Sequence, residues 1–171
     1  MLKAGVIGAG HLGKIHLKLL NQSTKYELVG FFDTDKEASQ KISEELGYRS
    51  FETISELIES CDMVDVVTPT LFHFDTAKEV LKAGRHLFIE KPITKTIEEA
   101  ETIRELAKEN GVRGQVGQVE RFNPAFTAVN KQIKNPMFIE THRLAEFNPR
   151  GTDVSVVLDL MIHDIDAILS V

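Results

Sequence analysis

The sequence LKAGVIGAGHLG at residues 2–13 decides the fold of this chain. Leu2–Ile7 is a short apolar run that predicts a β-strand, and His11–Asn21 has the periodicity of a helix. Between them, Gly8 permits a tight turn, Gly10 lets a phosphate approach the backbone, and Gly13 lets the helix pack close to the strand. The first N–H groups of the helix favour an anion. This pattern predicts a dinucleotide-binding loop, although an ordinary glycine-rich turn can have the same spacing.

The alternation of strand and helix continues beyond this loop. Four further apolar runs predict strands, namely Tyr26–Phe32, Met63–Val67, His86–Ile89 and Val112–Val119. Helices are predicted from Thr34 (with Glu37 completing a capping box) to Gly47, after Thr53, over Phe72–Ala83 and, after Thr96, over Ile97–Asn110. Continuously apolar strands separated by helices predict an α/β fold, a doubly wound parallel sheet covered on both faces.

The pattern changes after residue 120. A helix is predicted from Asn123 to about Ile133, a more polar strand over Met137–Leu144 and a helix over Val154–Val171. We therefore predict a Rossmann domain over residues 1–120 and the beginning of a second, truncated α/β domain over residues 121–171. The chain is expected to be a fragment whose unpaired strand edge and apolar helix would invite association.

Composition excludes several classes of protein. The 171 residues carry 20 Lys and Arg against 26 Asp and Glu, a net charge of −6, which disfavours non-specific nucleic-acid binding. The single cysteine, Cys61, cannot form an internal disulfide, and the six histidines lack the spacing of a metal site. No apolar run approaches the about 20 residues of a membrane span. We expect a soluble, cytoplasmic protein without metal, membrane or nucleic-acid partners.

One acidic residue stands where a ribose-binding carboxylate is expected. Asp33 ends the second predicted strand, 20 residues after Gly13. A carboxylate there accepts the adenosine ribose hydroxyls and repels a 2′-phosphate, which favours NAD over NADP. The alternative is that Asp33 is a turn or cap residue, although Asp35 is better placed as the cap. Lys36 could offset the negative charge and weaken the preference for NAD.

The sequence Glu90-Lys91-Pro92 directly follows a predicted strand at the carboxyl edge of the sheet, where ligands of open α/β sheets bind. Pro92 keeps Lys91 out of the helical region, so that its side chain could hydrogen-bond a reacting hydroxyl. The alternative is a solvated lysine in a turn.

The last predicted helix is nearly all apolar, and three polar residues share one of its faces. Asp159, His163 and Asp166 stand at positions i, i+4 and i+7. Asp159 can orient His163 as a general base. The alternative is that these residues form the solvent-facing side of an amphipathic helix, while Asp164 points elsewhere, as a surface residue or a cap.

Five motifs together resemble the Gfo/Idh/MocA oxidoreductases. They are GAGHLG at 8–13, the acid Asp33, TPTLFH at 68–73, EKP at 90–92 and DLMIHD at 159–164. The resemblance implies NAD(P)-dependent oxidation of a sugar or polyol hydroxyl, and a cis peptide bond between Lys91 and Pro92. It implies that His163 removes the hydroxyl proton while hydride leaves for the nicotinamide, that Lys91 hydrogen-bonds the developing oxyanion and that Asp159 positions the site.

The resemblance also implies which residues contact the cofactor: Gly8, Gly10, His11, Leu12, Gly13, Asp33, Thr68, Pro69, Thr70, His73, Glu90 and Lys91. A structural turn is an equal alternative for Thr70, and a packing or capping role is an alternative for His73. His16 and His86 are expected to be structural or exposed, and the sequence does not decide the role of His142.

A narrower resemblance concerns the substrate. GQVERFNPAF at 117–126 and RGTDVSVVLDLMIHDID at 150–166 are similar to the UDP-N-acetylglucosamine 3-dehydrogenase branch. This implies oxidation of a nucleotide-sugar 3-hydroxyl. It places five residues near the substrate: Arg121, Asn123, Arg150, Asp153 and His163. The full-length protein is then expected to be a homo-oligomer, with a large sheet in its C-terminal domain.

Two other functions compete with a dehydrogenase. The scaffold could serve a non-catalytic dinucleotide sensor or regulator, or the chain could be an inactive Rossmann domain with an interaction tail. Retention of Lys91, Asp159 and His163 argues against a sensor, which needs only the glycines and Asp33. We expect the chain to bind cofactor and to turn over poorly.

Overall fold

A computed structural model describes residues 1–144 and 154–171. It contains a five-stranded parallel sheet in the order β2-β1-β3-β4-β5. The strands are β1 (Leu2–Ile7), β2 (Tyr26–Phe32), β3 (Met63–Val66), β4 (His86–Ile89) and β5 (Gly114–Val116). The helices are α1 (His11–Gln22), α2 (Lys36–Leu46), α3 (Ile54–Glu59), α4 (His73–Lys82), α5 (Ile97–Glu109), α6 (Pro124–Val129) and α7 (Ile162–Leu169). The chain divides into two compact units, Met1–Val116 and Gly117–Val171.

The parallel register brings the carboxyl ends of the strands to one edge of the sheet. Ile7 of β1 pairs with Phe32 of β2 and with Val66 of β3, and Val66 pairs with Ile89 of β4. A single parallel bridge from Phe31 to Ser50 extends the sheet beyond β2. The predicted doubly wound parallel sheet is confirmed.

Two apolar layers cover the sheet, one on each face. Successive residues of a strand point to opposite faces, and β1 shows this alternation. Val6 packs in a cluster with Leu17 of α1 and Ile42 of α2. Ile7 belongs to the other, larger cluster, which includes Leu57, Ala77, Val80, Leu81 and Ile103 from α3, α4 and α5. The first unit therefore has a buried core on both sides of the sheet.

Capping residues decide where the helices of the first unit begin. Thr96 and Glu99 form the predicted capping box of α5, and the Thr53 hydroxyl accepts the Glu56 N–H at the start of α3. The predicted start of α2 at Thr34 is wrong. Asp35 is the cap, because its carboxylate accepts the N–H of Ala38 and the helix begins at Lys36. Thr34 therefore lies one residue too early for a capping box with Glu37.

The second unit departs further from the predictions. Residues 137–144 form no strand, because a strand needs a neighbour for its backbone hydrogen bonds and the described part of this unit holds none. The first predicted helix ends at Val129 and continues only as the 3₁₀ turn Asn130–Gln132. The last begins as a π-helical turn, Val157–Met161, in a stretch rich in β-branched valines. Among the described helices, none is long and apolar enough to cross a membrane.

Candidate functional site

Four loops of the first unit lie at the same edge of the sheet, each directly after a strand. Gly8 follows β1, Asp33 follows β2, Val67 follows β3 and Glu90 follows β4. Because parallel strands align their carboxyl ends, these loops form the edge where open α/β sheets bind ligands. The sequence predicted this placement for the glycine loop, Asp33 and Lys91.

The glycine loop leaves room for a phosphate group. Gly8 has a φ of +96°, and a Cβ atom there would lie 2.7 Å from the carbonyl oxygen of Val67. A Cβ atom on Gly13 would overlap the carbonyl of Gly8. In contrast, a Cβ atom on Gly10 would meet no atom within 4 Å. Gly8 and Gly13 are therefore required by the fold. Gly10 faces open space, as the predicted approach of a pyrophosphate requires.

The start of α1 fits an anion. Gly10 is its N-cap, no side chain caps the helix, and its first turn contains no acidic residue. His11 and Leu12 are exposed there. Backbone N–H groups without a capping partner and the positive end of the helix dipole both favour a bound phosphate. These residues therefore fit the dinucleotide predicted from the sequence.

The Asp33 carboxylate supports the glycine loop from the end of β2. Its Oδ2 accepts the Ala9 N–H at 2.6 Å, and its Oδ1 accepts the Asp35 N–H at 2.9 Å. Asp33 thus holds the turn after β2, which was the alternative interpretation of this residue. Its contact with a ribose stays a prediction. The Lys36 ammonium lies 3.1 Å from the Glu52 carboxylate and 3.0 Å from the Glu52 carbonyl oxygen. Its charge is therefore paired with Glu52.

His73 joins the loops that follow β3 and β4. It is 1% exposed, and its Nδ1 and Nε2 atoms each lie 2.9 Å from a carbonyl oxygen, of Pro92 and Thr68 respectively. This favours the structural interpretation of His73. In the same segment Pro69 is exposed and Thr70 is buried. Contacts of these residues with a cofactor stay predictions.

The Lys91–Pro92 peptide bond is cis, as the resemblance implied. The Lys91 N–H donates a hydrogen bond to Oε2 of the preceding Glu90 at 3.1 Å. Glu90 is buried, whereas Lys91 is half-buried. The lysine is therefore not the fully solvated turn residue of the alternative interpretation.

A buried cluster beneath these loops was not predicted. His16 of α1 lies between two carboxylates, with Nδ1 at 2.8 Å from Oδ2 of Asp65 and Nε2 at 3.4 Å from Oε1 of Glu90. Burial lowers the pKa of His16, but its hydrogen bonds to Asp65 and Glu90 and the negative charges of these carboxylates outweigh burial and raise the pKa to about 9. Burial also raises the pKa of Asp65, against the effect of His16. The one available signal in the sequence was Asp65, a charged residue inside the apolar strand β3.

In the second unit, the polar stripe of the last helix faces inward. Asp159 and His163 are half-buried, and Asp166 is only 8% exposed. The exposed positions are instead the apolar Val157, Met161, Ile165 and Leu169. The interpretation of the stripe as a solvent-facing surface is therefore wrong, since the apolar residues hold that position.

Two arginines bind aspartates of this helix, one in the polar stripe (Asp166) and one beside it (Asp164), so Asp164 is an ion-pair partner rather than the surface or cap residue expected from the sequence. Arg121 donates from Nε and Nη2 to the two carboxylate oxygens of Asp166, the first at 2.6 Å. Arg143 makes the same bidentate contact with Asp164, and both hydrogen bonds are 2.8 Å long. The hydrogen bonds that the two arginines donate to these carboxylates raise the pKa of both guanidinium groups. Arg121 thus has a structural partner, and its substrate contact stays a prediction.

Asn123, also predicted near the substrate, caps α6. Its Oδ1 atom accepts the Ala125 N–H at 3.0 Å. Arg150 and Asp153 lie outside the described residues. Lys91 belongs to the first unit, and Asp159 and His163 belong to the second. Over residues 1–144 and 154–171, no group of three or more His, Cys, Asp or Glu side chains is placed to hold a metal ion.

A cavity of about 520 Å³ lies within the second unit. Its polar lining includes Glu120, Arg143, His163 and Asp164, and its apolar lining includes Phe126 and Ile139. Of the three predicted catalytic residues, His163 is the one that lines it. An imidazole beside a cavity with both carboxylate and guanidinium groups is suited to proton transfer with a polar ligand.

Comparisons with known proteins point to an oxidoreductase. A family model described as GFO_IDH_MocA, an oxidoreductase family with an NAD-binding Rossmann fold, matches residues 2–118. A relative from Acidithiobacillus ferrooxidans, named UDP-N-acetylglucosamine 3-dehydrogenase, is 37% identical over 98% of this chain and 53% of its own length. A relative from Bacillus subtilis (strain 168), named scyllo-inositol 2-dehydrogenase (NAD(+)), is 31% identical over 96% of this chain and 52% of its own length.

Solved structures of related proteins have the same fold as this chain. The structure of the Acidithiobacillus ferrooxidans enzyme matches with a TM-score of 0.91, covering 99% of this chain and 56% of that one. GenD2 from gentamicin A biosynthesis, solved in complex with NAD, is 26% identical with a TM-score of 0.72. That match covers 77% of this chain and 38% of the other. The chain thus spans about half the length of the curated relatives it matches.

Proposed function

The chain belongs to the Gfo/Idh/MocA oxidoreductase family, and from this premise we propose that it is the cofactor-binding part of an NAD-dependent sugar dehydrogenase. The proposed substrate is a nucleotide sugar, with the 3-hydroxyl of UDP-N-acetylglucosamine as the first candidate. The relative from Acidithiobacillus ferrooxidans carries the name of that activity. The similarity of residues 117–126 and 150–166 to that branch supports the same substrate.

The observation that carries the proposal is the grouping of four loops at one sheet edge. An uncapped helix N-terminus beside Gly10 accepts a pyrophosphate, and Asp33 stands one strand away. Lys91 follows β4 at the same edge, on a segment held by Glu90 and by the His73 contact with Pro92. A phosphate-binding loop and a half-buried lysine at one sheet edge suit hydride-transfer chemistry better than simple nucleotide sensing.

The proposed roles of the reactive residues are as follows. Lys91 donates a hydrogen bond from its ammonium group to the reacting hydroxyl oxygen. The imidazole of His163 accepts the hydroxyl proton, and Asp159 orients that imidazole. When bound, the nicotinamide supplies the acceptor for the hydride.

NAD is the proposed cofactor rather than NADP. The Asp33 carboxylate would repel a 2′-phosphate, and the nearby Lys36 has its charge paired with Glu52. Because the Lys36 ammonium is held by Glu52, it does not offset the negative charge at the end of β2. NADH is therefore expected to bind at least tenfold more tightly than NADPH.

A pair of glycine variants tests the proposed cofactor site. A Cβ atom added at Gly10 or at Gly114 would meet no atom within 4 Å, and neither residue has a positive φ, so alanine fits the fold at both. Gly10→Ala places a methyl group where the pyrophosphate must approach, whereas Gly114→Ala lies at the start of β5, on the opposite edge. Titration of NADH fluorescence should give at least tenfold weaker binding for Gly10→Ala and an unchanged affinity for Gly114→Ala.

The same titration, repeated with UDP-N-acetylglucosamine present, tests the substrate. Tighter NADH binding in the presence of the sugar nucleotide supports the proposed substrate. An NADH affinity that the sugar nucleotide does not change favours a dehydrogenase that acts on another sugar. Equal affinity in both glycine variants and in the parent chain would contradict the proposed cofactor site.

A further inference from the structure

We propose that His16, Asp65 and Glu90 form a charged link that positions Lys91 relative to the glycine loop. The inference deepens the proposed function, since it rests on the role of Lys91 given above. Its three members come from three separate elements of the first unit: helix α1, strand β3 and the residue that follows strand β4. In this arrangement His16, Asp65 and Glu90 are positioning residues rather than catalytic ones.

The geometry connects the two functional loops directly. His16 stands on α1, whose first residue is His11 of the glycine loop. Its Nε2 atom faces Oε1 of Glu90, and Oε2 of the same carboxylate accepts the Lys91 N–H at 3.1 Å. One carboxylate therefore contacts both the helix that begins at the nucleotide loop and the backbone of the predicted catalytic lysine.

Charge explains why this link needs an imidazole. Asp65 and Glu90 are both buried, and two buried carboxylates side by side repel each other. A protonated imidazole between them offsets that repulsion, and it donates a hydrogen from each ring nitrogen. Phe88 of β4 packs edge-on against the same ring, with the ring centres 6.0 Å apart. The ionisable groups that act on His16 are Asp65 and Glu90.

The pKa shift of His16 has the direction that this link requires. The pKa of His16 is about 9 rather than 6.5, and the carboxyl of Asp65 also has a raised pKa. The raised pKa of His16 means that this imidazole keeps its proton at a pH where an isolated imidazole has lost it. Oδ1 of Asp65 is buried and has no hydrogen-bond partner, so His16 is the contact that compensates this carboxylate within the described residues.

A purely structural histidine would support α1 without affecting Lys91. A positioning histidine makes the Lys91 backbone respond when its own charge is lost. The two roles therefore differ in whether the Lys91 amide changes as His16 titrates, and this difference is measurable without substrate or turnover.

NMR of the 171-residue chain without cofactor tests the proposal. The ring signals of His16 and the Lys91 amide signal are followed from about pH 6 to about pH 10. In the parent chain both should change with one midpoint, near the pKa of about 9. In His16→Asn, whose amide can keep the contact to Asp65 without a charge, the change at Lys91 should vanish. Hydrogen exchange of the Lys91 amide should then become about tenfold faster.

Two further variants keep the test decisive. Glu90→Gln retains His16 and its contact with Asp65 but removes the charge that faces Lys91, so the shared titration should also disappear. It replaces His16→Asn as the deciding variant if that protein does not fold. His86→Gln changes another histidine of the first unit, on β4, and should leave the shared titration intact.

A Lys91 amide that is constant over this pH range, or that titrates unchanged in His16→Asn or Glu90→Gln, would overturn the proposal. Because no cofactor is present in this experiment, the result is independent of the NADH titration. A shared titration in a chain that does not bind NADH would reject the proposed function and retain the link.

Discussion

The two units of this chain hold their polar residues in different ways. In the first, Met1–Val116, a parallel sheet with an apolar layer on each face supports the loops. In the second, Gly117–Val171, large apolar residues are mostly exposed, and two arginine–aspartate pairs hold the polar face of α7. The first unit is therefore held mainly by burial of apolar surface, whereas the described part of the second buries little apolar surface and has two arginine–aspartate pairs across its last helix.

Matched phenylalanine variants should show the largest difference between the units. Phe31 is 0% exposed in the core of the first unit, and Phe138 is 81% exposed in the second. Phe31→Ala should lower the free energy of unfolding by about 3–5 kcal/mol, because it leaves a cavity in a packed core. Phe138→Ala should change it by less than about 0.5 kcal/mol. Urea denaturation of the two variants measures both values, and equal losses would contradict the comparison.

The same contrast explains how much of the fold was predictable. The bounds of β1, β2 and β4 and the start of α5 follow from local signals, an apolar run or a capping residue. The strand expected at 137–144 was wrong, because a strand depends on a neighbour that the local pattern does not specify. The start of α2 at Thr34 was wrong for a smaller reason, since Thr34 has the spacing of a capping box with Glu37, but Asp35, which the sequence also favoured as a cap, is the residue that caps the helix.

The candidate site divides in a similar way. The glycine loop and the cis bond at Lys91 were predictable, one from its spacing and the other from the family resemblance. The link between His16 and Asp65 was not, because these residues are 49 positions apart and meet only through the order of the strands. The inward orientation of Asp166 in the polar stripe also involves a distant partner, Arg121, and the neighbouring Asp164 pairs with Arg143.

The next largest difference between the units should be in how their stability depends on pH. The folded-state pKa of His16 lies above its unfolded value of 6.5, so its stabilisation is complete below pH 6.5 and is lost as the pH rises through about 9. After allowance for partial solvent screening, the expected fall in the free energy of unfolding is about 1–2 kcal/mol. Urea denaturation at several pH values measures it. The fall should be absent in His16→Asn and present in His86→Gln, and a parent chain that gains stability over this range would contradict the assignment.

Within the second unit, the two charge pairs should differ in strength. Asp166 is 8% exposed and its partner Arg121 is half-exposed, whereas Asp164 is less buried than Asp166. Asp166→Asn should reduce the protection of α7 amides from hydrogen exchange by an amount equivalent to about 1 kcal/mol, since it removes the charge of a buried carboxylate that accepts two hydrogen bonds from Arg121. Asp164→Asn should cost less than about 0.5 kcal/mol. A larger loss in Asp164→Asn would mean that burial does not rank these two pairs.

The smallest effect is expected at acidic pH, and its sign is opposite to that of the first unit. A hydrogen bond from Arg143 lowers the pKa of Asp164 below its ordinary value of 3.8. The pair therefore contributes its stabilisation fully above pH 3.8 and loses it as the pH falls through the lower folded-state pKa. Because this pair is partly exposed, the loss should stay below the limit of about 0.5 kcal/mol given for Asp164→Asn.

Hydrogen exchange of α7 amides from about pH 5 to about pH 2.5, corrected for the intrinsic rate, measures this loss. Asp164→Asn should remove it, since an amide does not titrate, while the alkaline loss at His16 in the first unit remains. Opposite pH responses in one chain require two separate sets of charges. If α7 instead weakened with rising pH, its stability would depend on a different titrating group, and the Arg143–Asp164 pair would not contribute to it.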